Sequence, residues 1–254
     1  EGIVMMDRER AAADKIKRLY GEAGLMHDEN HDLEHLYELF AYGEIYNRSL
    51  LNDQQREIIV LAVLSTNQTL NQLPEHVHVG LNAGLKAEEI QEVIIQCTPY
   101  IGFSKALEAV NVVNETLKAE GFELPLESQR QSDESDRFAK GLALQKRIFG
   151  ERIDELRANA QRNQMHIQDA LSAMCFGDFY TRGALDVKTR ELITLCVLAA
   201  LGGCENQLRS HVQGNAAVGN SKELMIEAIT VCLIHIGFPR TLNALNCINE
   251  CLPE

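Results

Sequence analysis

The chain contains one stretch of sequence twice. Residues 56–117 and 190–252 align with a single one-residue gap. The matches keep their order along both stretches: Arg56-Glu57 with Arg190-Glu191, Asn71-Gln72-Leu73 with Asn206-Gln207-Leu208, His76 with His211, Cys97 with Cys232, and Ile101-Gly102-Phe103 with Ile236-Gly237-Phe238. The likeness extends upstream, where residues 40–46 resemble residues 174–180. So many ordered matches predict a duplication, in which each copy packs against the other to bury its apolar face.

The two copies are joined by a polar stretch, GFELPLESQRQSDESD at residues 121–136, which contains Pro125. That composition is typical of a linker. We therefore predict two domains, residues 1–125 and 126–254.

Every periodic segment has a helical pattern. In the second copy, Asp186 is placed to cap a helix that starts near Val187 and ends at about Leu201. Ser221 caps a later helix, which Gly237 ends. No alternating strand pattern competes. The sequence predicts an all-α fold of two tandem helical domains.

Composition narrows the classes of partner. The net charge of −13 argues against a nucleic acid, which needs clustered Lys and Arg. No apolar run approaches the roughly 20 residues of a membrane span. The seven cysteines form no CxxC pair, so we expect buried thiols in a reducing cytoplasm and no zinc site. A small anionic substrate would need a local positive patch.

Three residues along one predicted helix carry candidate chemistry: Cys204, Gln207 and His211. Their spacing places them on one face. Cys204 follows two glycines at the helix start, where we expect the helix dipole to lower the pKa of its thiol. Glu191, on the preceding helix, joins them if tertiary packing brings it there.

The stretches RELITL, ALGGCENQLRSH and IGFPRTLNAL resemble the core of the carboxymuconolactone decarboxylase family. The resemblance covers nearly all of both copies. It implies an enzyme that decarboxylates a lactone without a cofactor, with Glu191 and His211 at the family's Glu and His positions. It also implies a homo-oligomer, because single-domain relatives form hexameric rings and a duplicated chain would form a trimer.

The family that these stretches resemble also includes an alkyl hydroperoxidase D-like branch with the pattern E…C-x2-C-x3-H. Gln207 stands where that branch has its second cysteine. Two enzymatic hypotheses therefore stay open. In the first, His211 protonates the carbanion left by decarboxylation and is oriented by Gln207 or Glu191. In the second, Cys204 is the thiolate of a peroxidase that uses an external thiol.

A third hypothesis is a non-enzymatic scaffold or binding protein.

For decarboxylation, the positive charge would come from one of three arginines: Arg190, Arg209 or Arg240. We predict no nucleotide, flavin or other cofactor, and a small-molecule substrate whose identity the sequence does not reveal.

The first copy has a secondary candidate site at Glu57, Gln72 and His76, but Thr69 replaces the cysteine. We favour a packing role for this copy. His27, His31 and His35 recur every four residues among acidic neighbours; we interpret them as a solvated face and predict no metal site.

Overall fold

The computed structural model describes residues 7–21, 31–48 and 50–253, and within these ranges every regular element is a helix. The first repeat, as we use the term, comprises α1 to α6 and the second repeat α7 to α12. The helices are α1 Arg8–Tyr20, α2 His31–Glu38, α3 Asp53–Asn67, α4 Leu73–Asn82, α5 Ala87–Ile101, α6 Phe103–Ala119, α7 Arg137–Phe149, α8 Arg152–Ala158, α9 Met165–Ala170, α10 Val187–Leu201, α11 Glu205–Ala217 and α12 Lys222–Cys251.

Short helical segments of other types join these elements. α2 continues into a π-helix, Leu39–Glu44, and α9 into another, Leu171–Tyr180. Three 3-10 turns complete the set: Ile45–Asn47, Leu70–Gln72 and Arg162–Gln164. The all-α prediction is confirmed.

The capping residues act as the sequence predicts. The Asp186 side chain accepts a hydrogen bond from the Thr189 backbone N–H at 2.8 Å and so starts α10. Gly237 has φ 75° and ψ 175°, which breaks α12 in its middle. Its counterpart Gly102 has φ 85° and separates α5 from α6. A positive φ at the same place in both repeats gives both the same bend.

The duplication reaches further upstream than the sequence alignment shows. α1 and α7 each lie against the π-helix of their own repeat. A Cβ on Gly43 would lie 2.5 Å from the Arg8 carbonyl oxygen, and one on Gly177 would lie 2.1 Å from that of Arg137. Both positions therefore require glycine, because the backbone of a neighbouring helix approaches each of them closely. That helix is α1 in the first repeat and α7 in the second, and it is the first helix of its repeat.

The two repeats share one continuous apolar core, built around α3, α5, α10 and α12. They also exchange equivalent ion pairs. Arg48 Nε lies 2.9 and 2.8 Å from the Glu227 oxygens, and Arg182 Nε lies 3.0 Å from both oxygens of Glu92. Each arginine reaches into the other repeat, so the repeats are interlocked rather than simply linked.

By length and composition, α12 alone among the described helices qualifies as a candidate membrane span. Its helical conformation is interrupted at Gly237, however. Each half is about 15 residues, which is shorter than the roughly 20 residues that a bilayer crossing needs.

Candidate active site

Glu191 of α10 and His211 of α11 form a buried pair in the second repeat. Nδ1 of His211 lies 3.0 Å from Oε2 and 3.2 Å from Oε1 of Glu191. The Glu191 side chain has no exposure to solvent, and that of His211 is 10% exposed. Tertiary packing thus makes the contact that the sequence left conditional.

Two small residues of α11 make this contact fit. Asn215 Nδ2 donates to the backbone oxygens of Glu191 at 2.9 Å and His211 at 2.8 Å, which ties α11 to α10. A Cβ on Gly214 would lie 2.6 Å from Glu191 Oε2 and 2.9 Å from the Phe149 ring. Only glycine leaves room for the carboxylate at that place.

Tyr180 provides a second hydrogen bond to the carboxylate. Its hydroxyl donates to Glu191 Oε1 at 2.7 Å and lies 2.7 Å from Thr194 Oγ1. Burial and the charge of Glu191 raise the pKa of Tyr180 well above its ordinary value, so the hydroxyl stays protonated. With Nδ1 of His211 facing Glu191, Nε2 is the ring nitrogen available to react with a ligand.

His211 lines a cavity of about 360 Å³, a size that suits a small organic molecule. Much of the wall is apolar or aromatic: Phe149, Ile153, Leu156, Leu171 and Phe176. The polar groups of the wall are Tyr100, Gln145, Arg152, Asn206, Gln207, Ser210 and His211. Gln207 and His211 therefore share a face and a cavity, as the helical spacing predicts.

Arg152 provides the positive charge of this cavity. Its guanidinium donates to Ser210 Oγ at 2.6 Å and to Gln213 Oε1 at 3.0 Å, which holds it beside α11. No sequence motif connects Arg152 with the site, because it lies about sixty residues before His211 on a different helix.

The three arginines proposed from the sequence lie elsewhere. Arg190 is fully buried and faces Glu92 at 3.2 Å in the interface between the repeats. Arg209 forms an ion pair with Glu250 at 2.7 Å. Arg240 lines a separate recess. The prediction that one of them serves this cavity is wrong, because Arg190 and Arg209 are paired with acidic residues elsewhere and Arg240 faces a different recess.

Cys204 does not lie with Gln207 and His211. It lines that separate recess, beside Arg240, and its Sγ donates to the Leu198 carbonyl at 3.3 Å. The prediction of a shared face fails because residue 204 has non-helical backbone angles (φ −129°, ψ 41°) and precedes the first turn of α11.

The first repeat gives Cys204 a structural explanation. Thr69 occupies the equivalent position, and its hydroxyl donates to the Leu64 carbonyl, the counterpart of Leu198, at 3.4 Å. Both side chains therefore bond a carbonyl near the end of the preceding helix. Burial, Glu205 and Cys247 raise the pKa of the Cys204 thiol, whereas the helix-start argument predicted a lowered one.

The first repeat holds an equivalent pair, Glu57 and His76. His76 Nδ1 lies 2.7 Å from Glu57 Oε2, and both side chains are 1% exposed. Burial lowers the pKa of His76, but Glu57 outweighs it and the net shift is upward. Gln72, which the sequence placed with them, is exposed at the end of a 3-10 turn.

Each pair has a ring from the other repeat beside it. Tyr100 of α5 lies edge-to-face on His211 with ring centroids 5.7 Å apart. His235 of α12, at the equivalent position, lies edge-to-face on His76 with centroids 6.0 Å apart. Tyr100 and His235 occupy matching positions in the two copies, and the sequence pattern favoured a packing role for this position.

Metal ligation finds no support among the described residues, where no group of three or more His, Cys, Asp or Glu side chains is arranged to hold an ion. Of the three histidines spaced by four, His31 and His35 are exposed on α2. His27 lies outside the described residues.

Comparison with known proteins agrees with this architecture. The sequence model of the carboxymuconolactone decarboxylase family matches residues 31–115 and again residues 166–250. The 4-carboxymuconolactone decarboxylase of Acinetobacter baylyi is 28% identical over 119 residues, which cover 46% of this chain and 88% of that protein. The chain belongs to the carboxymuconolactone decarboxylase family, and it carries two copies of the family's domain.

Proposed function

We propose that this protein decarboxylates a carboxy-lactone without a cofactor, and that the reaction takes place in the second repeat. The observation that carries the proposal is His211 itself: Glu191 holds its Nδ1, and its ring lines a cavity large enough for a small lactone. The similarity to a 4-carboxymuconolactone decarboxylase supports this substrate class.

The decarboxylation needs one proton donor in the site. When the bond between the ring carbon and the carboxylate breaks, CO2 leaves and its electron pair is delocalised through the unsaturated lactone to the carbonyl oxygen. His211 transfers a proton from Nε2 to carbon, and this forms the new C–H bond of the product. A proton from water then restores His211.

Arg152 is suited to bind the carboxylate of the substrate. The chain as a whole carries a net charge of −13, so an anion needs a local cation to enter the site. Arg152 is fixed by Ser210 and Gln213 at the cavity wall, where a guanidinium can form paired hydrogen bonds with a carboxylate. The apolar part of the cavity wall suits the lactone ring.

We assign the Glu57–His76 pair of the first repeat to packing. Both of its side chains are 1% exposed, whereas His211 is 10% exposed and lines a cavity. The buried pair satisfies two polar groups in the interface between the repeats.

We also propose that three chains assemble into a ring of six repeats. The two repeats expose matching apolar side chains: Phe103 and Leu107 on α6, and Phe238 and Leu242 on the second half of α12, each more than half exposed. Matched apolar surfaces of this kind are typical of contacts between subunits. Light scattering that gave the mass of a single chain would contradict the trimer.

The function is tested by incubating the protein with 4-carboxymuconolactone and measuring CO2 release and the decarboxylated lactone in parallel. We expect stoichiometric formation of both. A protein that forms neither product from this or related carboxy-lactones would contradict the proposal and leave the peroxidase and scaffold hypotheses.

A further inference from the structure

We propose that Tyr100, which the first repeat supplies, contacts the substrate in the second-repeat site and donates a hydrogen bond to the oxygen on which negative charge develops. The inference rests on the proposed function and extends it. It makes the site a joint product of both repeats, and the first repeat then has a role in chemistry besides packing.

The position of the Tyr100 ring supports a contact with the ligand. Tyr100 and His211 both line the cavity of about 360 Å³. Their rings meet edge-to-face at an interplanar angle of 87°. A lactone placed to receive a proton from His211 therefore lies within the same part of the cavity as Tyr100.

The Tyr100 hydroxyl is only loosely held by protein groups. It lies 3.3 Å from the Tyr180 oxygen and 3.6 Å from Cys175 Sγ, whereas Tyr180 reaches Glu191 at 2.7 Å. Sulfur is a weak acceptor. A ligand oxygen at the usual O–H···O distance of about 2.7 Å would be a better partner than either, so the hydroxyl can turn to it.

Tyr100 is suited to be a donor rather than a base. Burial and the nearby Cys175 and Glu191 raise its pKa well above the ordinary value of tyrosine, so its proton stays in place. A neutral donor that bonds a developing oxyanion stabilises the transition state more than the ground state.

The two repeats differ at this position. In the first repeat, the ring beside His76 is His235, and burial together with His76 lowers the pKa of His235 to about 3. His235 is thus a neutral imidazole packed on a buried pair. The second-repeat site therefore has a phenol donor in an open cavity. The first-repeat pair has a neutral imidazole beside it and is almost fully buried.

The test compares Tyr100→Phe with His235→Phe, the matched change at the other pair, using 4-carboxymuconolactone as substrate. For Y100F we expect kcat to fall about 10- to 100-fold with little change in KM, because the lost contact acts on developing charge. H235F should keep both constants. Equal kcat for Y100F and the wild type, or a change confined to KM, would overturn the inference.

A binding measurement separates this inference from the proposed function. The probe is a saturated five-membered carboxy-lactone, which lacks the alkene that delocalises the electron pair. Because the chain has no tryptophan, its near-ultraviolet absorbance is dominated by tyrosine, and a bound probe should perturb it.

We expect the perturbation in the wild type and in H235F, and its loss in Y100F. If the wild type binds the probe in this way but decarboxylates no lactone, the proposed function fails while the Tyr100 contact stands. An unchanged signal in Y100F, or no binding by the wild type, overturns the contact. If far-ultraviolet circular dichroism shows that Y100F is unfolded, Tyr100→Leu replaces it with the same expectation.

Discussion

Oε2 of Glu191 lies 3.0 Å from Nδ1 of His211, and Oε1 of the same carboxylate accepts the Tyr180 hydroxyl at 2.7 Å. Two donors thus converge on one fully buried carboxylate. The arrangement fixes the imidazole ring and leaves its second nitrogen for the ligand. The equivalent contact of Glu57 with His76 shows that the duplication preserved the pair itself, while the surroundings of the two pairs diverged.

Glu191→Gln should impair the reaction without removing the side chain. The amide has one acceptor oxygen where the carboxylate has two, so either Tyr180 or His211 loses its acceptor and the ring is no longer held. We expect kcat to fall about 10- to 100-fold, measured as decarboxylation of 4-carboxymuconolactone. An activity equal to that of the wild type would show that Glu191 does not position His211.

Glu92→Gln should destabilise the fold more than the matched change Glu227→Gln. Glu92 is the charged partner of the fully buried Arg190, so its removal leaves a buried charge uncompensated. That costs about 3–5 kcal/mol. Glu227 faces Arg48, whose side chain is 53% exposed, and water can replace the lost partner at a cost of about 1 kcal/mol.

Urea unfolding at neutral pH measures both changes in the free energy of unfolding. Similar losses for the two variants would contradict the account, because they would mean that the burial of Arg190 carries no extra penalty.

The stability of the protein should depend on pH through two facing histidines. The pKa of His76 is raised in the folded state, so its contribution is complete below the unfolded value of about 6.5 and is lost as pH rises through the folded value. The pKa of His235 is lowered to about 3. Its contribution is therefore present above about 6.5 and is lost as pH falls towards 3.

Together these shifts predict that the contribution of the two histidines to the free energy of unfolding is greatest near pH 6.5. Denaturant unfolding from pH 4 to 8 tests this with His76→Asn and His235→Phe. H76N should reduce the loss of stability on the alkaline side, and H235F should reduce the loss on the acidic side. Variants that keep the wild-type curve on both sides would contradict the assignment.

Cys204 should behave as an ordinary structural thiol. Because its pKa is raised, the reactive thiolate is scarce at neutral pH, and alkylation should be slow at pH 7 and accelerate only above about pH 8.5. Cys204→Ser should keep decarboxylation, since serine can also donate to the Leu198 carbonyl. Rapid oxidation of Cys204 by peroxide at neutral pH would instead favour the peroxidase hypothesis.

The helices were predictable because their signals are local. Asp186 caps α10 through its own neighbour Thr189, and Gly237 bends α12 through its own φ angle. Apolar periodicity and internal repetition predicted most of the other helices. The sequence comparison did not match the first helices of the two repeats, because their sequences have diverged.

The candidate site was predictable only in part. Gln207 and His211 lie on one helix, and Glu191 follows from the resemblance between sequences. Tyr100 and Arg152 come from other elements, and no short spacing connects them with His211. The prediction that Cys204 shares the face of Gln207 and His211 failed because Cys204 precedes α11 and does not follow the helical spacing.

The central claim is that His211 delivers the proton, and the most direct measurement is the kcat of His211→Asn beside that of His76→Asn with 4-carboxymuconolactone. Asparagine keeps a polar group at each position but cannot transfer the proton. We predict a fall of at least about 100-fold in H211N and a kcat close to that of the wild type in folded H76N. Full activity in H211N, or an equal loss in both variants, would contradict the account.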